Sequence, residues 1–203
     1  MLPEPIKKFV AVFSRLPSIG PRQATRLAFL IASFGKTKIK EIADAVNSLD
    51  SLTTCARCFR TFTPSAGAGR SLCSICSDPT REASLIAIIE KETDLLSLEK
   101  TKQFHGWYLV LGDLRKTGEL EPEQKLRLQS LKKFIEKSLG GKAEEIIFAI
   151  NPTVYGDINS AFLKKELVDY AKKITRLGRG IPTGGEIEFA DENTLGQALE
   201  HRN

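Results

Sequence analysis

Four cysteines in two closely spaced pairs constrain the fold of this chain more than any other feature. Cys55 and Cys58 form one Cys-x-x-Cys pair, Cys73 and Cys76 form the second, and 14 residues separate the two pairs. Each pair can direct two thiolates at the same ion from one tight turn, and a tetrahedral Zn²⁺ takes four such ligands. The spacing therefore predicts one structural zinc ion with no coordination position left open for catalysis.

Two disulfides or a redox dithiol are the competing interpretations of these cysteines. The N-terminal stretch MLPEPIKKF lacks the apolar core of a signal peptide, so we expect a cytoplasmic protein whose thiols stay reduced. A redox dithiol would explain one pair but not two. No apolar run approaches the ~18 residues that span a membrane, and no membrane association is expected. Pro64, Gly67 and Gly69 predict a loop between the pairs.

Apolar residues recur at helical spacing through the first 50 positions. They predict one helix from about Pro5, a second that opens at Pro21 and stops at Gly35, and a third from about Lys38 to Leu49. Together these segments predict a small helical bundle with its apolar side chains facing inward. The residues expected in that core are Ile6, Phe9, Val10, Phe13, Leu16, Leu27, Leu30, Ile31, Phe34, Ile39, Ile42, Val46 and Leu49.

From residue 84 onward, short continuous apolar runs alternate with helical patterns. The runs are SLIAIIE, WYLVL, EEIIFAI and KKITRL, and such runs are typical of strands buried on both faces. The helical patterns lie at about 93–100, 121–138 and 159–172. This alternation predicts a mainly parallel sheet covered by helices on both sides.

The excess positive charge lies in the first two fifths of the chain. Residues 1–82 contain 12 Lys or Arg against six Asp or Glu, whereas the remaining 121 residues contain 18 against 19. The stretch RLPSIGPRQATRLA resembles a helix–hairpin–helix, in which a tight turn at Gly20 presents backbone N–H groups to phosphate. Arg22 and Arg26 project beside that turn. We expect DNA contacts at Gly20, Arg22 and Arg26, the alternative being an ordinary helical hairpin.

The run SLIAIIE ends with Glu90 at the tip of its strand, which resembles a Toprim domain, the topoisomerase–primase fold. In that fold a strand-end Glu and a later Asp-x-Asp hold Mg²⁺ for phosphoryl transfer. This chain has Asn151 and Thr153 where the two aspartates would stand. Asp94 and Asp157 are the candidate substitute carboxylates, together with Asp113. We expect a degenerate acidic site without a tightly bound catalytic magnesium ion.

Taken in order, these stretches are similar to the RecR family of bacterial recombination mediators. The resemblance rests on LPSIGPRQATRLAF, the cysteine pairs with DPTRE, LIAIIE, WYLVLG, AINPTVYG and TRLGRGIPTGGEIEFADENTLGQAL. It implies a non-enzymatic protein that forms dimers or ring-like tetramers and binds DNA. Its implied partners are RecO and RecF, with which it helps to load RecA recombinase onto gapped single-stranded DNA.

The resemblance also implies roles for individual residues. It makes the four cysteines the zinc ligands, Arg22 and Arg26 the DNA contacts, and Asn151, Pro152, Thr153 and Gly156 a degenerate metal loop. Ile187 to Asp191 (IEFAD) corresponds to a Walker B-like segment linked to assembly. Relatives usually have Glu-Gly-Glu where this chain has Tyr155, Gly156 and Asp157, and this departure bears on the expected contact with RecO.

These features predict an α+β protein of four parts. They are a helix–hairpin–helix domain at 1–54, a four-cysteine zinc finger at 55–80, a Toprim domain at 81–175 and a C-terminal Walker B-like oligomerisation segment at 176–203. Two other functions fit parts of the sequence. One is a Mg²⁺-dependent nuclease or nucleotidyl transferase that uses Glu90 with Asp94 or Asp157. The other is a zinc-stabilised scaffold that binds only proteins.

Overall fold

The structure is a computed structural model that describes residues 2–64, 71–115, 117–200 and 202. The chain consists of two compact units, Met1–Leu52 and Thr53–Asn203. The loop predicted between the cysteine pairs lies mostly at 65–70, outside the described residues. The finer division of the chain into four parts remains a prediction.

Three helices form the first unit. They are α1 (Glu4–Phe13), α2 (Pro21–Ser33) and α3 (Gly35–Ser48), followed by a 3₁₀ turn at Leu49–Ser51. A proline lies in the first turn of both α1 and α2, where its missing N–H would have no helical partner anyway. The small residues Ala24 and Ala28 of α2 are buried, and α1 and α2 are in contact. Small side chains at these positions let two helices approach closely.

The prediction that the apolar side chains face inward is wrong for α2 and α3. The buried residues of α2 are its two alanines, and no residue of α3 is buried. In the first helix Ile6 is buried, but Leu16 beyond it is exposed. The larger apolar side chains therefore leave an uncovered apolar surface on this unit. The exposed members of the predicted core are Leu16, Leu30, Phe34, Ile39, Val46 and Leu49.

The second unit begins with the cysteine module and continues into a four-stranded sheet. The module contains the antiparallel strands β1 (Thr53–Thr54) and β2 (Thr61–Phe62) and a short helix α4 (Ser74–Ser77). The sheet contains β3 (Glu82–Ile89), β4 (Gly106–Val110), β5 (Ala143–Ala149) and β6 (Ala171–Arg176). All its strands are parallel, in the order β4-β3-β5-β6.

Alternate residues of the central strands face two different cores. Ile86 and Ile88 of β3 pack in a cluster with residues of α6 (Pro122–Ser138) and α7 (Val154–Leu167). Ala87 and Ile89 pack in a second cluster with the four cysteines and Leu95 of α5 (Glu92–Thr101). Two helices therefore cover one face of the sheet, and the cysteine module covers the other together with α5. This arrangement confirms the predicted α+β fold and its mainly parallel sheet.

Two helices begin earlier than predicted: α3 begins at Gly35 where about Lys38 was expected, and α7 is displaced by several residues. The helices expected at 93–100 and 121–138 are α5 and α6, but α7 occupies Val154–Leu167 where 159–172 was expected. The hydroxyl of Thr153 accepts a hydrogen bond from the Gly156 N–H, 3.0 Å away, and so caps the first turn. A 3₁₀ turn at Val168–Tyr170 then leads directly into β6. The predicted boundary was wrong because the capping threonine already begins the helix.

The C-terminal part contains a 3₁₀ turn at Ile187–Phe189 and a final helix, α8 (Glu192–Glu200). The stretch predicted to be Walker B-like therefore contains a turn with Ile187 and Phe189 exposed. Within the ranges that the structure describes, no helix is both long enough and apolar enough to cross a membrane.

Candidate functional site

The four cysteines converge on one point. Their Sγ atoms all lie within 4.8 Å of one another, and all four side chains are buried and free of disulfides. Cys58 Sγ and Cys73 Sγ, one from each pair, are 3.6 Å apart. Tetrahedral coordination with Zn–S bonds of about 2.3 Å places the sulfurs at nearly this separation. The cluster can therefore hold a metal ion with four sulfur ligands.

Local hydrogen bonds hold the cysteine side chains in this arrangement. The N–H of Cys73 donates to Cys55 Sγ at 3.3 Å, a contact between the two pairs. The N–H of Cys55 donates to the Arg60 carbonyl and closes the first turn. Hydrogen bonds from the side chains of Cys58, Cys73 and Cys76 lower the pKa of the Cys55 thiol, whereas hydrogen bonding with Cys55 raises the pKa of the Cys58 and Cys76 thiols. The thiolate is the form that binds metal.

The cysteine module is joined directly to the sheet. The N–H of Val110, at the end of β4, donates to the Cys58 carbonyl at 2.9 Å. The guanidinium of Arg57 lies 4.0 Å from the centre of the Trp107 ring and donates from Nη1 to the Cys76 carbonyl. Such a cation–π contact adds to the packing between two elements. No sequence pattern identified Arg57 or Trp107, because their contact joins segments about 50 residues apart.

The predicted DNA-binding turn lies at the start of α2. Gly20 is the N-cap residue, with extended backbone angles and no side-chain capping bond. Arg22 and Arg26 are both exposed on the helix that follows. Ser18, where helix–hairpin–helix motifs often have glycine, has a positive φ of 65°. The backbone at this position therefore adopts the left-handed conformation that glycine usually supplies.

The predicted acidic site is divided among several separate contacts. Glu90, just beyond β3, accepts hydrogen bonds at Oε1 from the backbone N–H of Asn151 at 3.1 Å and from its side-chain amide at 3.3 Å. The structure therefore brings these two residues together. The amide of Asn151 donates to the carboxylate that a Toprim metal site would use as a ligand.

The other predicted members of this site make contacts of their own. Asp94 accepts a hydrogen bond from the Lys91 N–H at 2.8 Å and caps α5. Asp157 pairs with Arg176 at 2.6 Å and with Arg179. The Arg179 and Arg176 guanidinium groups hold the pKa of Asp157 below its usual range. Within the ranges that the structure describes, the cysteine cluster is the one group of three or more potential metal-ligating side chains.

The protein has a parallel sheet in which the strand-end glutamate meets a polar loop, and a module of four cysteines covers one face of that sheet. These features define its class: it is a Toprim protein with a cysteine module. Residues 84–178 match the Toprim domain family, and residues 180–203 match the family described as RecR, C-terminal. The chain belongs to the RecR family.

Relatives named Recombination protein RecR align with nearly the whole chain. The protein from Moorella thermoacetica is 37% identical over 98% of this chain and 96% of its own length. The protein from Clostridium perfringens is 36% identical over the same shares of the two chains. The protein from Bifidobacterium longum is 34% identical over 97% of this chain and 94% of its own length.

Proposed function

We propose that this protein is a non-enzymatic, DNA-binding mediator of recombination and repair. It acts with RecO- and RecF-type proteins to help load RecA recombinase onto gapped single-stranded DNA. The observation that carries the proposal is the 37% identity to a protein named Recombination protein RecR over 98% of the chain. The bacterial cytoplasm, where the nucleoid lies and thiols stay reduced, is the compartment that this function requires.

Zinc is the metal that the proposal assigns to the cysteine cluster. Four buried thiolates are soft ligands, and four-sulfur tetrahedral sites in proteins hold zinc or iron. An iron–sulfur cluster needs more room than one ion, whereas these Sγ atoms lie within 4.8 Å of one another. With four protein ligands the ion has no open position, so its role is structural.

The DNA contacts are assigned to Gly20, Arg22 and Arg26. The exposed arginines lie one turn apart on α2, beside a helix start that has no side-chain cap. Helix starts and arginines both bind phosphate. Such contacts hold the nucleic-acid backbone without reading its sequence, which suits a mediator that acts at many different gaps.

The active form is assigned as a homo-dimer or tetramer. Val12, Phe29, Leu30, Val46 and Leu49 of the first unit are each at least half exposed. Several large apolar side chains exposed on so small a unit indicate a surface that another chain covers. A second copy of the chain carries the same surface, as a symmetric interface requires.

The RecO-type partner is assigned to the carboxyl end of the sheet, near the start of α7. Val154, Tyr155 and Ile158 are exposed there, while the charge of Asp157 is paired with two arginines. This edge is therefore more apolar than the Glu-Gly-Glu sequence usual in relatives would make it. We infer that the partner contacts it chiefly through apolar packing.

Salt-dependent DNA binding tests the function. Replacing Arg22 and Arg26 with Gln should weaken binding and flatten the slope of log affinity against log salt by about 1.4 to 1.8 units, because two phosphate contacts are lost. Fluorescence anisotropy with a labelled oligonucleotide measures the slope. Light scattering on the same samples, expected to report a mass above the 22.4 kDa of one chain, measures assembly.

A matched control removes two charges elsewhere. Lys172 and Lys173 lie on β6 and pair with Glu144 and Glu145, so replacing both with Gln should leave the salt slope close to that of the wild type. Equal slopes for the arginine variant and the wild type would instead favour a scaffold that binds only proteins.

The alternative function is a Mg²⁺-dependent nuclease centred on Glu90. We expect no cleavage of labelled DNA in Mg²⁺, because Asn151 and Thr153 supply an amide and a hydroxyl where two carboxylates are needed. Gel analysis of single- and double-stranded substrates checks this. Cleavage by the wild type that Glu90→Gln abolishes would overturn the non-enzymatic assignment.

A further inference from the structure

A cavity of about 540 Å³ opens at the carboxyl end of the sheet. Its walls come from the ends of β5 and β6, from α5 and from the start of α8. In the strand order β4-β3-β5-β6 the chain direction across the sheet reverses between β3 and β5, and open parallel sheets usually bind their ligands at the carboxyl ends of the strands near such a reversal. The cavity lies one strand further along, at the carboxyl ends of β5 and β6. A volume of this size accommodates a small organic molecule.

Two arginines line one part of this cavity. Arg176 Nη1 donates to Asp157 at 2.6 Å, and Arg179 donates to the same carboxylate through both Nη atoms. The two guanidinium groups therefore share a single carboxylate. Each guanidinium carries five N–H donors, whereas Asp157 accepts from one nitrogen of Arg176 and from two of Arg179. An oxyanion in the cavity can therefore accept hydrogen bonds from the remaining donors.

Two carboxylates also line the cavity and restrict the kind of anion that fits. Asp94 accepts from the Lys91 N–H, and Asp191 accepts from the Thr194 N–H and hydroxyl. A carboxylate has about four acceptor positions, so both can still accept hydrogen bonds from a ligand. The cavity thus combines cationic donors with anionic acceptors. A ligand that complements both carries a negative group together with hydroxyl or amino donors.

We propose that this cavity binds a nucleotide, with its phosphate at Arg176 and Arg179 and its sugar or base donors toward Asp94 and Asp191. The nucleotide can be free, or it can be the 5′-phosphorylated end of a DNA strand. This site goes beyond the proposed DNA contacts, which lie at Gly20, Arg22 and Arg26 in the other unit of the chain.

Isothermal titration calorimetry with ATP, adenosine and inorganic pyrophosphate tests the site. ATP should bind at least about tenfold more tightly than adenosine, because charge-assisted bonds from arginine to phosphate are strong and frequently bidentate. Arg179→Gln should weaken ATP binding at least about tenfold. The control Arg115→Gln removes an exposed arginine that pairs with Glu121 outside the cavity and should leave the affinity unchanged.

A second variant separates loss of the site from loss of the fold. Asp157→Asn removes the carboxylate that competes for both arginines, so ATP should bind several-fold more tightly. A merely misfolded C-terminal part would weaken binding in both variants. Equal affinity of the wild type and Arg179→Gln, no measurable binding of either ATP or a 5′-phosphorylated strand, or weaker binding by Asp157→Asn would each overturn the proposal.

Oligonucleotides distinguish the two sources of the nucleotide. A single strand with a 5′ phosphate is compared with the same strand carrying a 5′ hydroxyl, in the wild type and in Arg179→Gln. A preference for the phosphate that Arg179→Gln abolishes identifies a DNA end as the ligand. Equal binding of the two strands, with ATP binding intact, identifies a free nucleotide. The Arg22 and Arg26 variant should keep its ATP affinity, so failure of the proposed DNA contacts is distinguishable from failure of this site.

Discussion

Replacing Cys73 with serine is expected to release the zinc ion that we propose for the cysteine cluster and to unfold the cysteine module. A hydroxyl is a poor ligand for zinc, and binding of structural zinc contributes about 10 kcal/mol or more in small zinc modules. The module also packs against the sheet, since its four cysteines share a buried cluster with Ala87, Ile89 and Tyr108. We therefore expect the second unit to lose at least about 5 kcal/mol of stability.

Trp107 offers a direct readout of this change. It is the single tryptophan of the chain, and its ring lies under Arg57, which the first cysteine pair brackets. Chelation of the wild type and substitution of Cys73 should shift its fluorescence in the same direction, as loosening of the module exposes the indole. Denaturant unfolding and metal analysis on the same samples measure the stability and the zinc content.

Ser74→Ala is the matched control for this substitution. Ser74 follows Cys73 at the start of α4 and is exposed, so its replacement should retain one zinc ion per chain and the wild-type fluorescence. Full stability of the wild type after complete removal of the metal would contradict a structural role for the cluster.

Lowering the pH should release the metal from the cysteine module, as chelation does. Protons compete with the metal for the four thiolates, so zinc affinity falls as the pH falls. The module should consequently lose its metal at low pH and regain it on neutralisation, and the Trp107 signal should follow both steps.

The features predicted correctly from sequence are those that short spacings encode. A Cys-x-x-Cys pair places two sulfurs on one turn, so the convergence of Cys55, Cys58, Cys73 and Cys76 followed from spacing alone. Continuous apolar runs likewise identified the buried strands, because both faces of β3 and β5 are covered. In these cases the local sequence pattern and the tertiary environment favour the same structure.

The features missed depend on contacts between distant segments. Arg81 pairs with Glu99, which also accepts from the Tyr108 hydroxyl at 2.7 Å, and nothing in the spacing of these three residues indicates the network. The exposed apolar side chains of α2 and α3 show a related limit. Helical periodicity identifies an apolar face, but it does not say whether that face packs within the chain or against another one.

The predicted acidic site combines a feature that the sequence indicates with contacts that it does not. The sequence has an amide and a hydroxyl, at Asn151 and Thr153, where the Toprim pattern has two aspartates. The contacts of these two residues are not evident from sequence, because Asn151 donates to Glu90 across 61 positions while Thr153 caps its own helix. Both polar side chains stabilise the loop at the end of the sheet. Asn151 and Thr153 therefore both have structural roles.

Gly156 is the residue of this loop whose replacement should have the largest effect on stability. It lies in the first turn of α7, where a Cβ atom would be 1.9 Å from the Asn151 carbonyl oxygen. The obstacle is backbone rather than the end of a flexible side chain, so the loop or the helix must move. Gly156→Ala should therefore cost about 3 kcal/mol or more. Chemical denaturation gives the free energy of unfolding.

Gly196→Ala provides the matched control for that substitution, because Gly196 is also helical and a Cβ atom there would meet open space. Alanine favours the helix over glycine by up to about 1 kcal/mol, so this control should leave stability unchanged or raise it. The two substitutions make the same chemical change and have opposite expected signs. A Gly156→Ala protein as stable as the wild type would show that the Asn151 loop moves without cost. Its contact with Glu90 would then not fix the loop at the end of the sheet, and the close approach at Gly156 would have no structural importance.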